Sequence, residues 1–305
     1  MTKSKGTLYG LAAYGLWGLF PLYLNLLRPA GAVEVLANRV LWSLMLCLGI
    51  LAVMGRLRWI GALVRRPRVL LGVTTAGILI ACNWTIYTFA VLADRVTEAS
   101  LGYFLNPLVT VALGVILLHE KLRRAQWVAV GIGAIAAIYL TVDFGGPPWV
   151  SISLALSFAT YGLVKKKVGN SLSALQSLTA ETIVIAPAAA IAIAVLAQQG
   201  NLTFGNEGWV HALLLAGAGV ATTVPLLLFA GAARRVPLTT IGLLQFITPV
   251  AQLLTAVFLL GEAMEPSRWI GFAMVWVALA VLSADSLVSV GRSRRLARAA
   301  RGMAT

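Results

Sequence analysis

Long apolar runs separated by short polar breaks, most of them basic, make up almost the whole chain. The runs fall at roughly 7–27, 33–54, 69–91, 97–118, 125–141, 149–164, 174–197, 209–231, 238–260 and 267–288. A bilayer core needs about 20 apolar residues per helix. The pattern therefore predicts an all-α membrane protein with ten transmembrane helices. The fifth and sixth runs are short, and Gly145-Gly146-Pro147-Pro148 marks a tight turn between them. Lys3 and Lys5 before Leu8–Leu27 imitate a signal peptide, but the apolar stretch is too long for one and nine further spans follow. It reads as a retained first helix.

The basic residues set an expected orientation. With the N-terminus in the cytoplasm, twenty Lys and Arg residues fall on the inner side, among them Arg56, Arg58, Lys165, Lys166, Lys167 and Arg292. Only Arg28, Arg95 and Arg268 fall on the outer side, and Arg39 lies within a span. This satisfies the positive-inside rule in every inner segment and places both termini in the cytoplasm of a plasma-membrane protein.

The chain also repeats itself. Pro107, Glu120 and Trp127 recur as Pro249, Glu262 and Trp269 at a constant offset of 142. Phe89-Ala90 with Ala93 and Arg95-Val96 matches Phe229-Ala230 with Ala233 and Arg235-Val236, and Tyr14-Gly15-Leu16 matches Tyr161-Gly162-Leu163. Five spans is an odd number, so the second copy enters the membrane from the opposite side. Two inverted five-helix repeats are expected, 1–145 and 146–305, the second with a basic cytoplasmic tail. Inverted repeats characterise many secondary transporters, although repeats also persist for packing alone.

Polar residues line single faces of several spans. Tyr103, Asn106, Thr110 and Gly114 share one face of the fourth, and Gln245, Thr248, Gln252 and Thr255 share nearly the same phase of the ninth. Weaker stripes are Tyr14, Trp17, Pro21 and Asn25, then Asn83 and Tyr87, then Ser153, Ser157 and Tyr161. Each is either glue between helices or the lining of a cavity; duplication of the stripe favours the cavity. Pro107 and Pro249 lie near the middle of their spans, either as static kinks or as matched hinges.

Charges inside spans are costly and usually functional. Arg39 lies about 9 Å into the second span. It snorkels outward, pairs with Glu34 or Glu98, or attracts an anionic substrate group. Glu181 pairs with the Lys165–Lys167 cluster or takes up a proton during a cycle. The two lie at opposite sides, which argues against a direct pair. Glu120 and Glu262 read as solvated loop charges.

Composition narrows the classes further. The chain of 305 residues is 60% apolar and 11% charged, with net charge +14. In a soluble protein that excess would raise nucleic acid as a partner; here the basic residues sit between spans, so none is expected. Cys47 and Cys82 lie in apolar runs, and His119 and His211 lack ligand-spaced companions, so neither a disulfide nor a metal is expected. No P-loop is present, and Gly131-x-Gly133-x-x-Ala136 lies inside a span, where close packing explains it. No cofactor is expected. Gly6 and Gly10 have a helix-pairing spacing, common in membrane helices and weak support for a homodimer.

The segment Ala99-Ser100-Leu101-Gly102-Tyr103-Phe104-Leu105-Asn106-Pro107-Leu108 resembles the signature of RarD-type proteins, in the EamA group of the drug/metabolite transporter superfamily. Further matches are Arg39-Val40-Leu41-Trp42-Ser43, Asn83-Trp84, Ser157-Phe158, Glu181-Thr182 and Thr223-Val224-Pro225-Leu226. The resemblance runs from about Gly6 to Ala284. Asn38 stands where the family often has His, and Phe246 where Tyr is common, so no titrating histidine accompanies Arg39. The resemblance implies a ten-helix inner-membrane exporter of a small metabolite or drug-like molecule, with a central cavity between the halves.

The expected protein is a secondary transporter working by alternating access. Its site is lined by Tyr14, Asn83, Tyr103, Asn106, Tyr161 and Gln245, with Arg39 holding an anionic group and Glu181 coupling to protons. The alternatives are an intramembrane enzyme, disfavoured by scattered acidic residues and lone histidines, and a non-transporting sensor or assembly partner, which would want a sizeable soluble region.

Overall fold

Backbone polar groups in a bilayer can be satisfied only within the protein, and each described apolar run is accordingly helical. The computed structural model describes residues 2–118, 122, 124–143, 147–168, 172–233, 235 and 244–302. In chain order the helices are α1 (Thr2–Gly18), α2 (Phe20–Leu26), α3 (Ala32–Val53), α4 (Trp59–Val64), α5 (Pro67–Leu92) and α6 (Val96–Leu118). There follow α7 (Arg124–Asp143), α8 (Trp149–Val168), α9 (Ala174–Gln198), α10 (Gly208–Ala233), α11 (Ile247–Leu254), a π-helical turn at Thr255–Leu259, and α12 (Pro266–Gly302). Among the described residues these make ten crossings; α1 with α2 forms the first, and α11 with the π-helical turn belongs to the ninth. Five helical stretches, Ala32–Val53, Pro67–Leu92, Arg124–Asp143, Ala174–Gln198 and Gly208–Phe229, are each long and apolar enough to span a bilayer.

The protein is an all-α membrane protein of two inverted five-helix repeats, and its packing carries that symmetry. Helix α3 lies against α9 and α10, α5 against α8 and α9, α1 against α10 and α11, α6 against α8 and α11, and α7 against α12. Exchanging the first five crossings for the last five maps this pattern onto itself. The pair α1–α10 becomes α8–α5, α3–α10 becomes α9–α5, and α1–α11 becomes α8–α6. The pairs α3–α9, α6–α11 and α7–α12 map onto themselves and so bracket the pseudo-two-fold axis.

Small residues let these pairs close. A side chain at Gly219 of α10 would sit 2.5 Å from the Trp42 carbonyl carbon of α3, and one at Gly102 of α6 would sit 2.9 Å from the Ser151 carbonyl oxygen of α8. Both are backbone obstacles, so neither contact relaxes by a rotamer change. At the α6–α12 contact the Phe104 and Phe272 rings meet edge to face at 5.9 Å, inside a cluster with Leu101, Leu140 and Leu253.

Two spans break at a proline, where the sequence predicts a bend at Pro249 but not at Pro21. The first breaks at Leu19, because Pro21 has no N–H for the Trp17 carbonyl. In the ninth, residues 245 and 246 form a turn, and Pro249 sits in the first turn of α11 rather than mid-helix. Its missing N–H is the one the Gln245 carbonyl would need. Pro107, by contrast, lies inside an unbroken α6. The short α4, flanked by Arg58 and Arg65, occupies the expected loop between the second and third spans.

Carboxylates tie together the end of the bundle opposite the N-terminus. The Glu34 carboxylate accepts the backbone N–H groups of Thr203 (3.0 Å) and Phe204 (2.8 Å) and the Thr203 hydroxyl. The Thr203 hydroxyl also contacts His211 Nε2 at 2.8 Å. Glu262 accepts the N–H groups of Val96 (2.5 Å) and Thr97 (2.8 Å) and the Thr97 hydroxyl. Glu262 is thus not a solvated loop charge. It caps the N-terminus of α6 from the other half of the chain, where the helix dipole favours an anion. Glu120, its counterpart in the repeat, lies outside the described residues.

Candidate functional site

Arg39 sits seven residues after the first residue of α3 and is only 4% exposed. Its Nε donates to the Thr222 hydroxyl at 3.2 Å and its Nη1 to the Thr88 hydroxyl at 3.4 Å. The guanidinium lies over the rings of Phe20 (4.7 Å) and Trp84 (4.8 Å). It neither snorkels nor pairs with the two carboxylates expected for it. Glu34 is occupied by the 203–204 backbone, and Glu98 binds Arg95 at 2.7 Å. No carboxylate among the described residues pairs with Arg39.

The charge of Arg39 is left uncompensated among the described residues, and that is costly. Burying an ion costs several kcal/mol. Two long hydroxyl hydrogen bonds return little at these distances. Two cation–π contacts contribute about 1–2 kcal/mol each. The helices that place these groups lie far apart in sequence: α2 supplies Phe20, α5 supplies Trp84 and Thr88 one turn apart, and α10 supplies Thr222.

An aromatic wall continues from Arg39 into the bundle. Phe20 stacks with Tyr87 at 6.2 Å, Tyr87 meets Tyr103 at 5.7 Å, and Tyr103 meets Phe158 at 6.1 Å. The Tyr103 hydroxyl donates to Asn83 Oδ1 at 3.4 Å, while Asn83 Nδ2 donates to the Leu154 carbonyl and the Ser157 hydroxyl. Gln252 Nε2 donates to the Tyr87 hydroxyl oxygen at 3.0 Å and to the Trp17 carbonyl at 3.1 Å. That carbonyl is the one Pro21 leaves without its helical partner. Thr248 similarly donates to the Tyr14 carbonyl at 2.9 Å. The ninth-span stripe therefore acts in part as glue to the first span.

Two acceptors in this region are left over. Asn106 Oδ1 and Gln252 Oε1 are buried and have no hydrogen-bond partner among the described residues. A buried amide oxygen without a donor costs about 1–3 kcal/mol. Both lie on the expected stripes, Asn106 one turn beyond Tyr103 on α6.

Glu181 occupies the same place in α9 that Arg39 has in α3, seven residues after its first residue. It is 2% exposed. Lys165 Nζ of α8 approaches Oε1 at 2.6 Å, Ser177 donates to Oε1 at 2.8 Å, and the Tyr161 hydroxyl donates to Oε2 at 3.1 Å. Lys165 also contacts the Ser177 hydroxyl and lies 5.5 Å from the Tyr161 ring centre. The pairing expected with the lysine cluster is thus made by Lys165. The side chains of Lys166 and Lys167 lie outside the described ones.

The expected residues consequently divide into groups. Arg39, Asn83 and Tyr103 share the aromatic region, with Asn106 one turn away. Tyr161 and Glu181 form the second cluster, joined to the first through Phe158, 5.9 Å from Tyr161. Tyr14 is buried against Trp17 and Phe229. Gln245 lies half-buried in the turn before α11 and makes no hydrogen bond to the other site side chains among the described residues. Sequence reasoning missed Thr88 and Thr222 as partners of Arg39. Thr222 is followed by the Thr223-Val224-Pro225 motif, the only local signal of its importance.

Among the described residues no group of His, Cys, Asp and Glu side chains is arranged to hold a metal. The EamA-like transporter family matches residues 4–142 and again 148–284. A RarD protein from Streptomyces exfoliatus is 50% identical over 298 residues, covering 98% of this chain and 94% of the relative. An uncharacterized transporter from Vibrio cholerae is 41% identical over 296 residues, covering 96% of each. A solved crystal structure aligns with a TM-score of 0.61 at 16% identity, covering 92% of this chain and 97% of the other, which shows a shared fold. The chain belongs to the EamA-like transporter family as a RarD-type member, a multi-pass bacterial membrane transporter of the drug/metabolite superfamily.

Proposed function

We propose that this transporter is a secondary exporter that moves a small metabolite or drug-like molecule out across the plasma membrane by alternating access. The halves 1–145 and 146–305 rock about the pseudo-two-fold axis, with both termini in the cytoplasm. The observation that carries this reading is Arg39, a buried guanidinium held by hydroxyls and ring faces with no carboxylate partner among the described residues. An anionic group of the cargo supplies the missing charge. Asn106 Oδ1 and Gln252 Oε1 accept N–H or O–H donors of the same molecule, and Tyr87 and Tyr103 wall it.

Glu181 is the coupling group of this cycle. Proton uptake by its carboxylate removes the attraction for Lys165, frees α8 from α9, and ties movement of the halves to proton flow. The bonds from Glu262 to the start of α6 and from Ser100 to the Pro249 carbonyl (2.7 Å) hold one end of the pathway shut.

The test compares metabolites in cells and medium for strains expressing the native chain, Arg39→Ala, or no transporter, with chloramphenicol as one added compound. The expected result is a compound bearing an acidic group that is shifted outward by the native chain alone. No shift in either direction, with the protein confirmed in the membrane, overturns the export reading and promotes a sensor or assembly partner.

A further inference from the structure

An apolar groove of about 570 Å³ runs along the exposed side of α3, beginning one turn past Arg39. Trp42, Ala216 and Val220 line its inner end, and Met45, Leu46, Gly49 and Ile50 its length. Val53 and Met54 line the other end, where α3 stops. Gly49 contributes no side chain, which helps to make the depression. From Trp42 to Met54 the groove follows α3 for about 18 Å, at 1.5 Å per residue. The hydrocarbon of one bilayer leaflet is about 15 Å deep. The groove is as long as one acyl chain reaching from the membrane surface to the midplane.

What lies beyond its outer end is basic. Gly55, with φ of +63°, closes α3 in the left-handed conformation. The Gly55 N–H donates to the Ala52 carbonyl (2.9 Å), and the Arg56 N–H donates back to the Leu51 carbonyl (2.8 Å). That closure fixes the backbone of Arg56 just past the groove mouth. Arg56 and Arg58 are exposed, and neither pairs with a carboxylate among the described residues. Leu57 between them and Val53 before them are exposed apolar residues, as suits a segment lying at the hydrocarbon boundary.

From this juxtaposition we infer that the groove and the two arginines form a binding site for an anionic glycerophospholipid. One acyl chain lies along α3 from Met54 to Trp42, and the headgroup phosphate sits against Arg56 and Arg58. A zwitterionic lipid fills the same groove but carries a compensating cation in its headgroup, so the arginines select the anionic one.

The experiment uses the full chain in vesicles of phosphatidylcholine containing a minor fraction of brominated phosphatidylglycerol or brominated phosphatidylcholine, with bromine on the acyl chain. Quenching that is present in the native chain and missing in Trp42→Phe is assigned to Trp42. The site predicts at least twofold stronger Trp42 quenching by the brominated phosphatidylglycerol than by the brominated phosphatidylcholine at equal fraction. The preference disappears in the Arg56→Gln/Arg58→Gln double variant, whose changes lie on the exposed surface and leave the far-ultraviolet helix signal unaltered. Equal quenching by both lipids overturns the inference, as does a preference that survives the double variant. Absence of quenching by either lipid, together with crosslinking of a Trp42→Cys variant to a second copy, overturns it in favour of a chain–chain interface.

Discussion

Arg39 and Glu181 occupy equivalent places in the two repeats yet carry opposite charges and different degrees of satisfaction. Glu181 has a lysine, a serine and a tyrosine; Arg39 has two threonine hydroxyls and two ring faces. Removing either charge should therefore have different consequences. Arg39→Ala removes a buried ion that nothing in the described chain neutralises, so stability should hold or rise slightly while export falls at least tenfold. Arg39→Lys keeps the charge but loses the planar fork and the ring contacts, and should recover only a minor part of the export. Initial efflux rates in vesicles, set beside thermal unfolding in detergent, separate the two effects. Lys165→Met behaves in the opposite way. It leaves Glu181 buried without its counter-ion, and since Lys165 is itself 32% exposed the loss should be about 1–3 kcal/mol. Thermal unfolding should show that loss in Lys165→Met and much less of it in Lys165→Met/Glu181→Gln. Equal losses in the single and double variants would remove the pair as the cause.

At the scale of helices, the small residues and prolines decide how closely the elements meet and where they break. Gly219 faces the Trp42 backbone, so Gly219→Leu must drive α10 away from α3 and should cost about 1–3 kcal/mol, read as a lowered unfolding temperature in detergent. Pro249→Ala returns an N–H to the Gln245 carbonyl and favours a continuous ninth helix. If the turn at residues 245 and 246 is a working hinge, that variant slows efflux several-fold, while Pro107→Ala, in an unbroken helix, slows it less. Unchanged rates in both would exclude the prolines as bending points. The spans themselves were legible from the apolar runs, because bilayer thickness imposes a length that few other constraints imitate. The break at Leu19 was not, since Pro21 is equally compatible with a smooth kink until Gln252 is seen to satisfy the Trp17 carbonyl. Nor were the partners of Arg39 legible: Thr88 and Thr222 lie 49 and 183 residues away, a pairing fixed only by the packing of α3 with α5 and α10. Glu262 looked like a loop charge for the same reason, its partners being 165 and 166 residues distant.

For the whole molecule, the packing exchanges into itself when the halves are swapped, but the polar ties at the end opposite the N-terminus do not all have a repeat counterpart. Ser100 donates to the Pro249 carbonyl, whereas the residue 142 positions later is Gly242, which has no hydroxyl to offer Pro107. An inverted repeat with identical ties at both ends would have equal conformers open to each side. In the proposed cycle Ser100 weights the balance toward the conformer shut at the end opposite the N-terminus, and Glu262 anchors that same end. Glu262→Gln sets an amide NH2 against one of the backbone N–H groups that a carboxylate oxygen accepts, so it loses that bond together with the negative charge at the start of α6, lowering the anchor by about 1–3 kcal/mol. The population open at that end should then rise by about five- to a hundredfold, since about 1.4 kcal/mol corresponds to a tenfold change. A Val96→Cys variant in a background lacking Cys47 and Cys82 reports this directly, because Val96 is wholly buried while the end is shut. Its labelling by a membrane-impermeant thiol reagent added outside intact cells should be slow, and faster by that factor when Glu262→Gln is added. Rapid labelling in both would mean that the end is not held shut by Glu262. Labelling only after the cells are opened would place that end, and with it both termini, on the side opposite to the one proposed.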